Sequence, residues 1–201
     1  MNKIGIITLK YTHKMDFKSG DILFFYSKSK DLPAGSPCKG RLHQEYVSRP
    51  EDYSDLSSIS NWRKILSNFY AFDFTIEVSP DLILTFRTIE HGFHYFKIRL
   101  ADPDRAFDFA LESGSDLSKG DGLAARRARK LVLLNPQQLQ QWNAIRDSVL
   151  YFLSKCRFSQ DTLSKKVLLA TQNAQLWHIV SRSVPVRFDH LERVREELRE
   201  R

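Results

Sequence analysis

Before Thr88 the apolar residues recur at every second position, and after it they recur about every 3.6 residues. This change of spacing constrains the fold more than any other feature of the chain. Before it, two apolar segments, residues 70–78 and 82–87, are joined by Ser79-Pro80-Asp81, which predicts a β-hairpin. The first segment alternates through Phe72, Phe74, Ile76 and Val78. After it, residues 89–100 follow a helical repeat with Thr88 as the expected N-cap. A hairpin followed directly by a helix indicates an α+β chain.

The other patterned segments are mostly helical. Residues 21–27 are typical of a buried strand. Asp102-Pro103 and Asn135-Pro136 each place a capping side chain before a proline at the first helical position, and the second pair opens a long helix to about Cys156. Further helices are predicted from Ser159 and over residues 188–200. We expect one mostly helical α+β domain over residues 1–201, with a small sheet built largely from the first half.

A composition that is 42% hydrophobic supplies enough apolar side chains for a core. The helix from Pro103 should end at Gly114. The side chains expected to face the core follow helical spacing, and they are Ala106, Phe107, Ala110, Leu111, Leu139, Trp142, Ile145, Val149, Phe152 or Leu153, Leu163, Val167, Leu168, Phe188, Leu191, Val194 and Leu198.

Residues 28–60 differ from the rest because they are rich in Ser, Pro, Gly and charged residues, which predicts a long ordered loop or lid. No segment approaches the roughly 20 apolar residues that a membrane helix requires, and no membrane association is expected. The first residues lack the apolar run of a signal peptide. Cys38 and Cys156 show no metal-binding spacing, which favours a reducing, cytoplasmic setting, with the nucleus as the alternative.

The chain is basic, with 31 Lys and Arg against 24 Asp and Glu and a formal charge of +7. This surplus suits a phosphate-rich partner, although many basic proteins bind no nucleic acid. Ser118-Lys119-Gly120-Asp121-Gly122 precedes a predicted helix whose free amides could hold a phosphate. The basic residues on that helix fit either a phosphate-binding patch or a solvated face, and they are Arg126, Arg127, Arg129 and Lys130.

Residues 89–100 combine an apolar stripe with a stripe of reactive side chains. Ile89, Phe93, Phe96 and Leu100 share one face, and Glu90, His94 and Lys97 lie roughly 90° from it. Glu90 and Lys97 are two turns apart, roughly 10 Å along the axis, so both could contact one ligand lying along the helix. A solvated amphipathic helix would show the same pattern, because Glu is favoured near the start and Lys near the end. Periodicity alone favours that structural interpretation.

The order of short motifs resembles the YbiA-like (NADAR) N-glycosidase family over roughly residues 21–180. Leu66-Ser67-Asn68-Phe69 precedes the predicted hairpin, and Glu90-His91 then precedes Lys97 by the seven-residue spacing of that family. The other matching segments are Phe25-Tyr26-Ser27, Trp142 with Arg157-Phe158, and Leu168-Leu169-Ala170-Thr171. The last helix, with Leu191-Glu192-Arg193-Val194-Arg195, also matches. Residues 176–188 depart from the family because they lack its Gly and Asn, and His178 stands at its acidic position.

The resemblance implies a YbiA-like fold and hydrolysis of an N-glycosidic bond, with removal of ADP-ribose from guanine in some members and cleavage of an early riboflavin intermediate in others. We expect Glu90 to act on the ribose or on its attacking nucleophile, and Lys97 to be a candidate amine nucleophile. The expected substrate-binding residues are Asn68, Phe69, His91, His94, Lys119, Gly120, Asp121, Arg187 and His190, with Arg195 as a further candidate. The partner would be an ADP-ribosylated nucleotide or nucleic acid, with no cofactor, metal or obligate protein partner expected.

Two alternatives remain at this stage. The first is a reader, a family-like protein that binds ADP-ribosylated nucleic acid without cleaving it, which the altered residues 176–188 and the basic charge favour. The presence of both Glu90 and Lys97 argues against it. The second is an unrelated basic protein that binds unmodified DNA or RNA in a salt-sensitive manner. A plain structural protein explains the ordered motifs least well.

Overall fold

The structure is a computed structural model that describes residues 20–37, 44–179 and 184–200. Its strands are β1 (Ile22–Phe25), β2 (Phe74–Ser79), β3 (Leu82–Phe86), β4 (Gln175–His178) and β5 (Val186–Arg187). Its helices are α1 (Ser54–Ser58), α2 (Trp62–Ile65), α3 (Ile89–Ile98), α4 (Pro103–Phe107), α5 (Asp116–Lys119), α6 (Gly122–Ala128), α7 (Pro136–Gln160), α8 (Thr162–Ala170) and α9 (Asp189–Arg199). The predicted class, α+β and mostly helical with little sheet, is confirmed.

The predicted hairpin is present as the antiparallel pair β2–β3. Phe74 lies opposite Phe86, and Ile76 lies opposite Leu84. These four side chains are buried and form one apolar face of the two-stranded sheet. Regular pairing begins at Phe74 and not at residue 70, because the chain before it is linked to Arg87, just after β3, by the bond from Phe72 N–H to Arg87 O at 3.0 Å and by an ion pair with Asp73, and not by a strand ladder.

A second sheet has the order β1–β4–β5, in which β4 is parallel to β1 and antiparallel to β5. As expected, three of the five strands in the described residues, β1, β2 and β3, come from the first half of the chain, but β4 and β5 come from the second half. The last two strands have four and two residues, too few to display a repeat of two in the sequence. The parallel partner of β4, β1, also lies far away along the chain, so only the tertiary fold reveals that pairing.

The helix starts agree with the predicted caps. Thr88 accepts a hydrogen bond from the His91 N–H, Asp102 accepts one from the Arg105 N–H, and Asn135 forms a capping box with Gln138. Helix α7 continues past Cys156 to Gln160, and Asp161 then caps α8, which therefore starts at Thr162 and not at Ser159. The helix predicted from Pro103 to Gly114 is divided, because α4 ends at Phe107 and only a 3-10 turn, Leu111–Ser113, follows.

The core faces of four helices, α3, α4, α7 and α8, differ from the prediction. On α3, Phe93 and Phe96 are only half-buried, whereas Tyr95 and Ile98 are buried, since α3 packs between α6 and α7. Gly92 permits the close approach of α7, because a Cβ there would lie 2.7 Å from a Leu153 methyl carbon. The other predicted core residues that lie exposed at the ends or outer faces of their helices are Phe107, Leu139, Phe152 and Leu163.

The segment predicted as a loop or lid is fastened to the core where the structure describes it. It contains a 3-10 turn, Pro50–Tyr53, and α1, which bury Tyr53 and Leu56. Glu45 forms a fully buried ion pair with Arg63 of α2 at 2.7 Å. The lid role itself stays a prediction. Within the described ranges, no helix combines the length and apolar character needed to span a membrane.

Candidate active site

A cavity of about 610 Å³ opens where four segments meet. These segments are the residues after β1, the loop after α2, the start of α6 and the end of β4. The lining residues are Tyr26, Ser27, Lys28, Ser67, Phe69, Asp121, Gly122, Leu123, Arg126, His178 and Ile179. Lys28 and Arg126 are exposed at the rim, whereas Ser67 and Gly122 are buried. The cavity therefore combines a largely apolar wall with two cations at its edge.

The loop from Ser67 to Phe69 is held in place by hydrogen bonds from Arg157 of α7. This guanidinium is fully buried and donates hydrogen bonds to Ile65 O at 2.6 Å and to Ser67 O at 3.2 Å. It also lies over the Tyr70 ring, 4.9 Å from its centroid. Burial lowers the pKa of Arg157 to about 10, which still leaves it charged at neutral pH. Arg157 thus positions the loop, which gives a structural reason for its place in the motif order.

Glu90 is the second residue of α3, and the start of this helix contacts the loop. Its backbone N–H donates to Asn68 O at 3.1 Å, and its carboxylate Oε1 lies 3.1 Å from His94 Nε2. The Glu90 side chain is only 14% exposed and that of His94 is 5% exposed. The Asn68 side-chain oxygen is buried and, among the described residues, has no hydrogen-bond donor. A buried acceptor without a donor is unfavourable, so a donor from a bound molecule would stabilise this atom, although Asn68 is not among the residues that line the cavity.

The His178 side chain, at the end of β4, lines the cavity, and the charges of Glu90 and Arg126 influence its pKa. Its ring is stacked on Phe188, with centroids 4.9 Å apart, and meets Phe25 edge-on at 5.5 Å. Burial lowers the pKa of His178 to about 4; the charge of Glu90 opposes this shift and that of Arg126 adds to it. The imidazole is therefore neutral at physiological pH, and Glu90 lies within electrostatic range of the cavity wall.

The start of α6 approaches the loop closely at Gly122. A Cβ at this position would lie 2.7 Å from Phe69 Cα, so a larger residue would displace the loop. Asp121 caps the helix by accepting a hydrogen bond from the Ala124 N–H at 2.8 Å. Its carboxylate is thereby partly engaged, although Asp121 still lines the cavity.

Lys97 lies two turns along α3 from Glu90 and is not among the residues that line the cavity. The Lys97 residue is half-buried. Burial lowers the Lys97 pKa from its ordinary value, and the positive charge of Arg129 lowers it further. These are the two influences that an amine nucleophile needs to be deprotonated near neutral pH.

Several predicted substrate-binding residues lie away from the cavity. His91 is fully buried, and its ring nitrogens contact Thr88 Oγ1 at 2.8 Å and Leu117 O at 3.0 Å, which makes it a structural residue. Lys119 is exposed and donates to Gly114 O at 2.7 Å, and Gly120 ends α5. Neither lines the cavity.

Arg187 and His190 line a separate cleft of about 410 Å³ between α7, β5 and the start of α9. Arg187 is paired with the buried Glu192 at 2.8 Å. Arg195 is fully buried and donates to Thr171 Oγ1 and Ala174 O, so it joins the end of α8 to α9. This contact gives Arg195 a structural role.

Of the predicted site residues, Phe69 and Asp121 line the cavity. Glu90 is joined to the neighbouring Asn68 by a backbone hydrogen bond and to His94 through its side chain, and these three residues are not part of the lining. Sequence reasoning did not place Lys28, His178 or Ile179 in the site. The only signal for His178 was its position in a divergent segment, since nothing local indicates that β4 pairs with β1. Among the described residues, no group of three or more His, Cys, Asp or Glu side chains could hold a metal ion.

No protein-family model matches the chain, and no curated protein is similar to it in sequence. Among solved structures, the chain is similar to the NMR structure of the E. coli protein YbiA, at 19% identity. The likeness covers 89% of this chain and 83% of that chain, with a TM-score of 0.49. At this level of likeness, an assignment of function depends on the site residues themselves.

Proposed function

We propose that this chain is an N-glycoside hydrolase that removes ADP-ribose from a modified guanine base in nucleic acid or in a nucleotide. The observation that supports it most is the placement of Glu90. Its carboxylate is mostly buried and bonded to His94, and its backbone is bonded to Asn68 of the loop that contributes to the cavity. Its charge acts on His178 of the cavity wall, and Lys28 and Arg126 lie at the rim. This arrangement supplies the groups that such a reaction requires.

The reaction separates charge, and the site has a group for each charge. As the base leaves, positive charge develops on the ribose, which a nearby carboxylate stabilises. Glu90 has this role, or activates the attacking nucleophile. Lys28 and Arg126 at the rim would bind the phosphates, and the free Asn68 oxygen would accept a hydrogen bond from a ribose hydroxyl.

Lys97 has the properties of an amine nucleophile acting through an imine with the ring-opened sugar. Its lowered pKa supports this role, because a larger fraction of the amine is neutral near pH 7. A substrate extending along α3 from Glu90 would reach it, at roughly 10 Å along the helix axis.

Purified protein incubated with a single-stranded oligonucleotide ADP-ribosylated on guanine tests the proposal, with released ADP-ribose measured by mass spectrometry. We expect release by the parent chain and at least about a 100-fold loss of rate in Glu90→Gln. Lys97→Ala and Lys97→Arg should both be defective if the amine is the nucleophile. The matched controls are Glu77→Gln and Lys166→Ala, which change exposed side chains on β2 and α8 and should retain the parent rate.

Full activity of both Lys97 variants would exclude the covalent role, and full activity of Glu90→Gln would refute the proposed site. Absence of release with every substrate, a ribosylated riboflavin-pathway pyrimidine included, would refute the hydrolase. Tight binding without release would instead establish a reader. One observation favours that second candidate. Four basic residues are exposed and form no ion pair within the described part of the chain, and they are Arg126, which lines the cavity, and Arg127, Arg129 and Lys130, which follow it in sequence.

A further inference from the structure

The imidazole of His178 is the polar group of the cavity wall that the proposed function has not used. Its ring lines the cavity, and neither ring nitrogen forms a hydrogen bond with any residue that the structure describes. The stack on Phe188 and the edge contact with Phe25 fix the plane of the ring. Strand pairing fixes its backbone, since His178 lies opposite Phe25 on one side and Val186 on the other. A fixed ring with free nitrogens is suited to contact a ligand in one orientation.

The depth of His178 indicates which part of a nucleotide it would meet. Lys28 and Arg126 are exposed at the rim, where phosphates can keep part of their hydration. His178 is half-buried, and its neighbours along the wall are Ile179 and, through the stack, Phe188. A flat, uncharged heterocycle loses less hydration free energy on entering such surroundings than a charged phosphate does. The heterocycle therefore belongs at the His178 end.

We propose that the ring N–H of His178 donates a hydrogen bond to the leaving heterocycle of the substrate. This inference rests on the proposed function, and it makes His178 a catalytic residue of that site. A neutral imidazole has one donor and one acceptor nitrogen. The low pKa caused by burial supports the neutral form, which avoids placing a second positive charge beside Arg126.

The chemical step balances without transfer of the His178 proton. The bond from the sugar C1′ to the base nitrogen breaks, and its electron pair goes to that nitrogen. A water oxygen forms the new bond to C1′, directly or after an intermediate on Lys97, and the proton that water loses is the one the leaving nitrogen gains. The His178 hydrogen bond strengthens as negative charge develops on the heterocycle, so it stabilises the transition state more than the bound substrate.

Three variants test the inference on the full chain with the ADP-ribosylated guanine oligonucleotide. His178→Phe keeps a flat ring against Phe188 but removes the donor. His178→Gln keeps a donor, and Trp177→Phe alters the preceding residue of the strand, which does not line the cavity. We expect His178→Phe to lower the single-turnover rate by about 100-fold with little change in the dissociation constant. His178→Gln should recover part of the rate, and Trp177→Phe should match the parent.

A His178→Phe variant as fast as the parent would overturn the inference, and so would an equal loss in rate and in binding. If the parent releases no ADP-ribose, the hydrolase fails, and the His178 contact is judged by binding alone. Guanosine monophosphate titrated into parent protein labelled with ¹⁵N at histidine should then shift the ring nitrogens of His178. Failure of this nucleotide to bind, or binding that leaves those nitrogens unshifted, overturns the contact.

Discussion

Removing one partner of the buried pair of Glu45 and Arg63 should destabilise the fold more than breaking any exposed ion pair among the described residues. The Glu45 carboxylate accepts two hydrogen bonds from the guanidinium, at 3.1 and 2.7 Å. It also accepts the backbone N–H groups of Phe24 and Gly35, at 2.9 and 2.8 Å. Arg63 in turn donates to the carbonyls of Leu32 and Pro33. One carboxylate therefore joins β1, α2 and the segment predicted as a lid.

Replacing Glu45 by Gln removes the compensating charge and turns one acceptor into a donor that faces other donors. The side chains of the pair are 0 and 1% exposed, so water cannot solvate the remaining guanidinium. Loss of one partner of such a pair costs about 3–5 kcal/mol in the free energy of unfolding. With a urea dependence of about 3 kcal/mol per molar for a chain of this size, the unfolding midpoint should fall by roughly 1–2 M.

Urea unfolding followed by circular dichroism measures this change, together with a double-mutant cycle. Arg63→Met should lower the midpoint similarly, and Glu45→Leu with Arg63→Met should lose less than the sum, because no lone charge remains buried. Glu51→Gln is the control, since its partner Arg49 and Glu51 itself are largely exposed, and no change in midpoint is expected. A Glu45→Gln midpoint equal to that of the parent would refute the reasoning.

Two further predictions concern the loop after α2 and the buried histidines. Gly122→Ala should destabilise the fold by about 1–3 kcal/mol and weaken nucleotide binding in calorimetry, because the added methyl would overlap Phe69; Gly20→Ala, whose Cβ would meet only the Tyr46 ring at 3.8 Å, should do neither. Acidification from about pH 6.5 to about pH 4 should lower the urea midpoint steadily, because the unfolded chain takes up protons that the folded chain does not. Burial lowers the folded-state pKa of the histidines responsible, to about 4 for His178, to about 3 for His190, and below its ordinary value for His91. A midpoint that is constant over this range would contradict the pKa directions.

The candidate site was partly accessible from the sequence. Glu90, Asn68 and Phe69 could be selected because short motifs in a fixed order carried them, and the structure places them together. Their surroundings could not be predicted, since cavities form between segments that are distant along the chain. His91 is the opposite case, a residue that was selected from the sequence but lies outside the site. Its position beside Glu90 suggested a ligand contact, whereas its ring is hydrogen-bonded to Thr88 and Leu117.

The sequence by itself determined the local elements of this protein. These elements depend on contacts between residues that are only a few positions apart, so a short stretch of sequence is enough to predict them. They are the hairpin at 74–86, the caps at Thr88, Asp102 and Asn135, and the amphipathic last helix. Only the tertiary structure decided that β4 pairs with β1, that α3 is buried on two sides, and that Arg157 and Arg195 are buried anchors. The physical reason is that burial of a face or a charge depends on which distant segment packs against it. That packing is determined by the contacts of the whole core together and not by the local sequence.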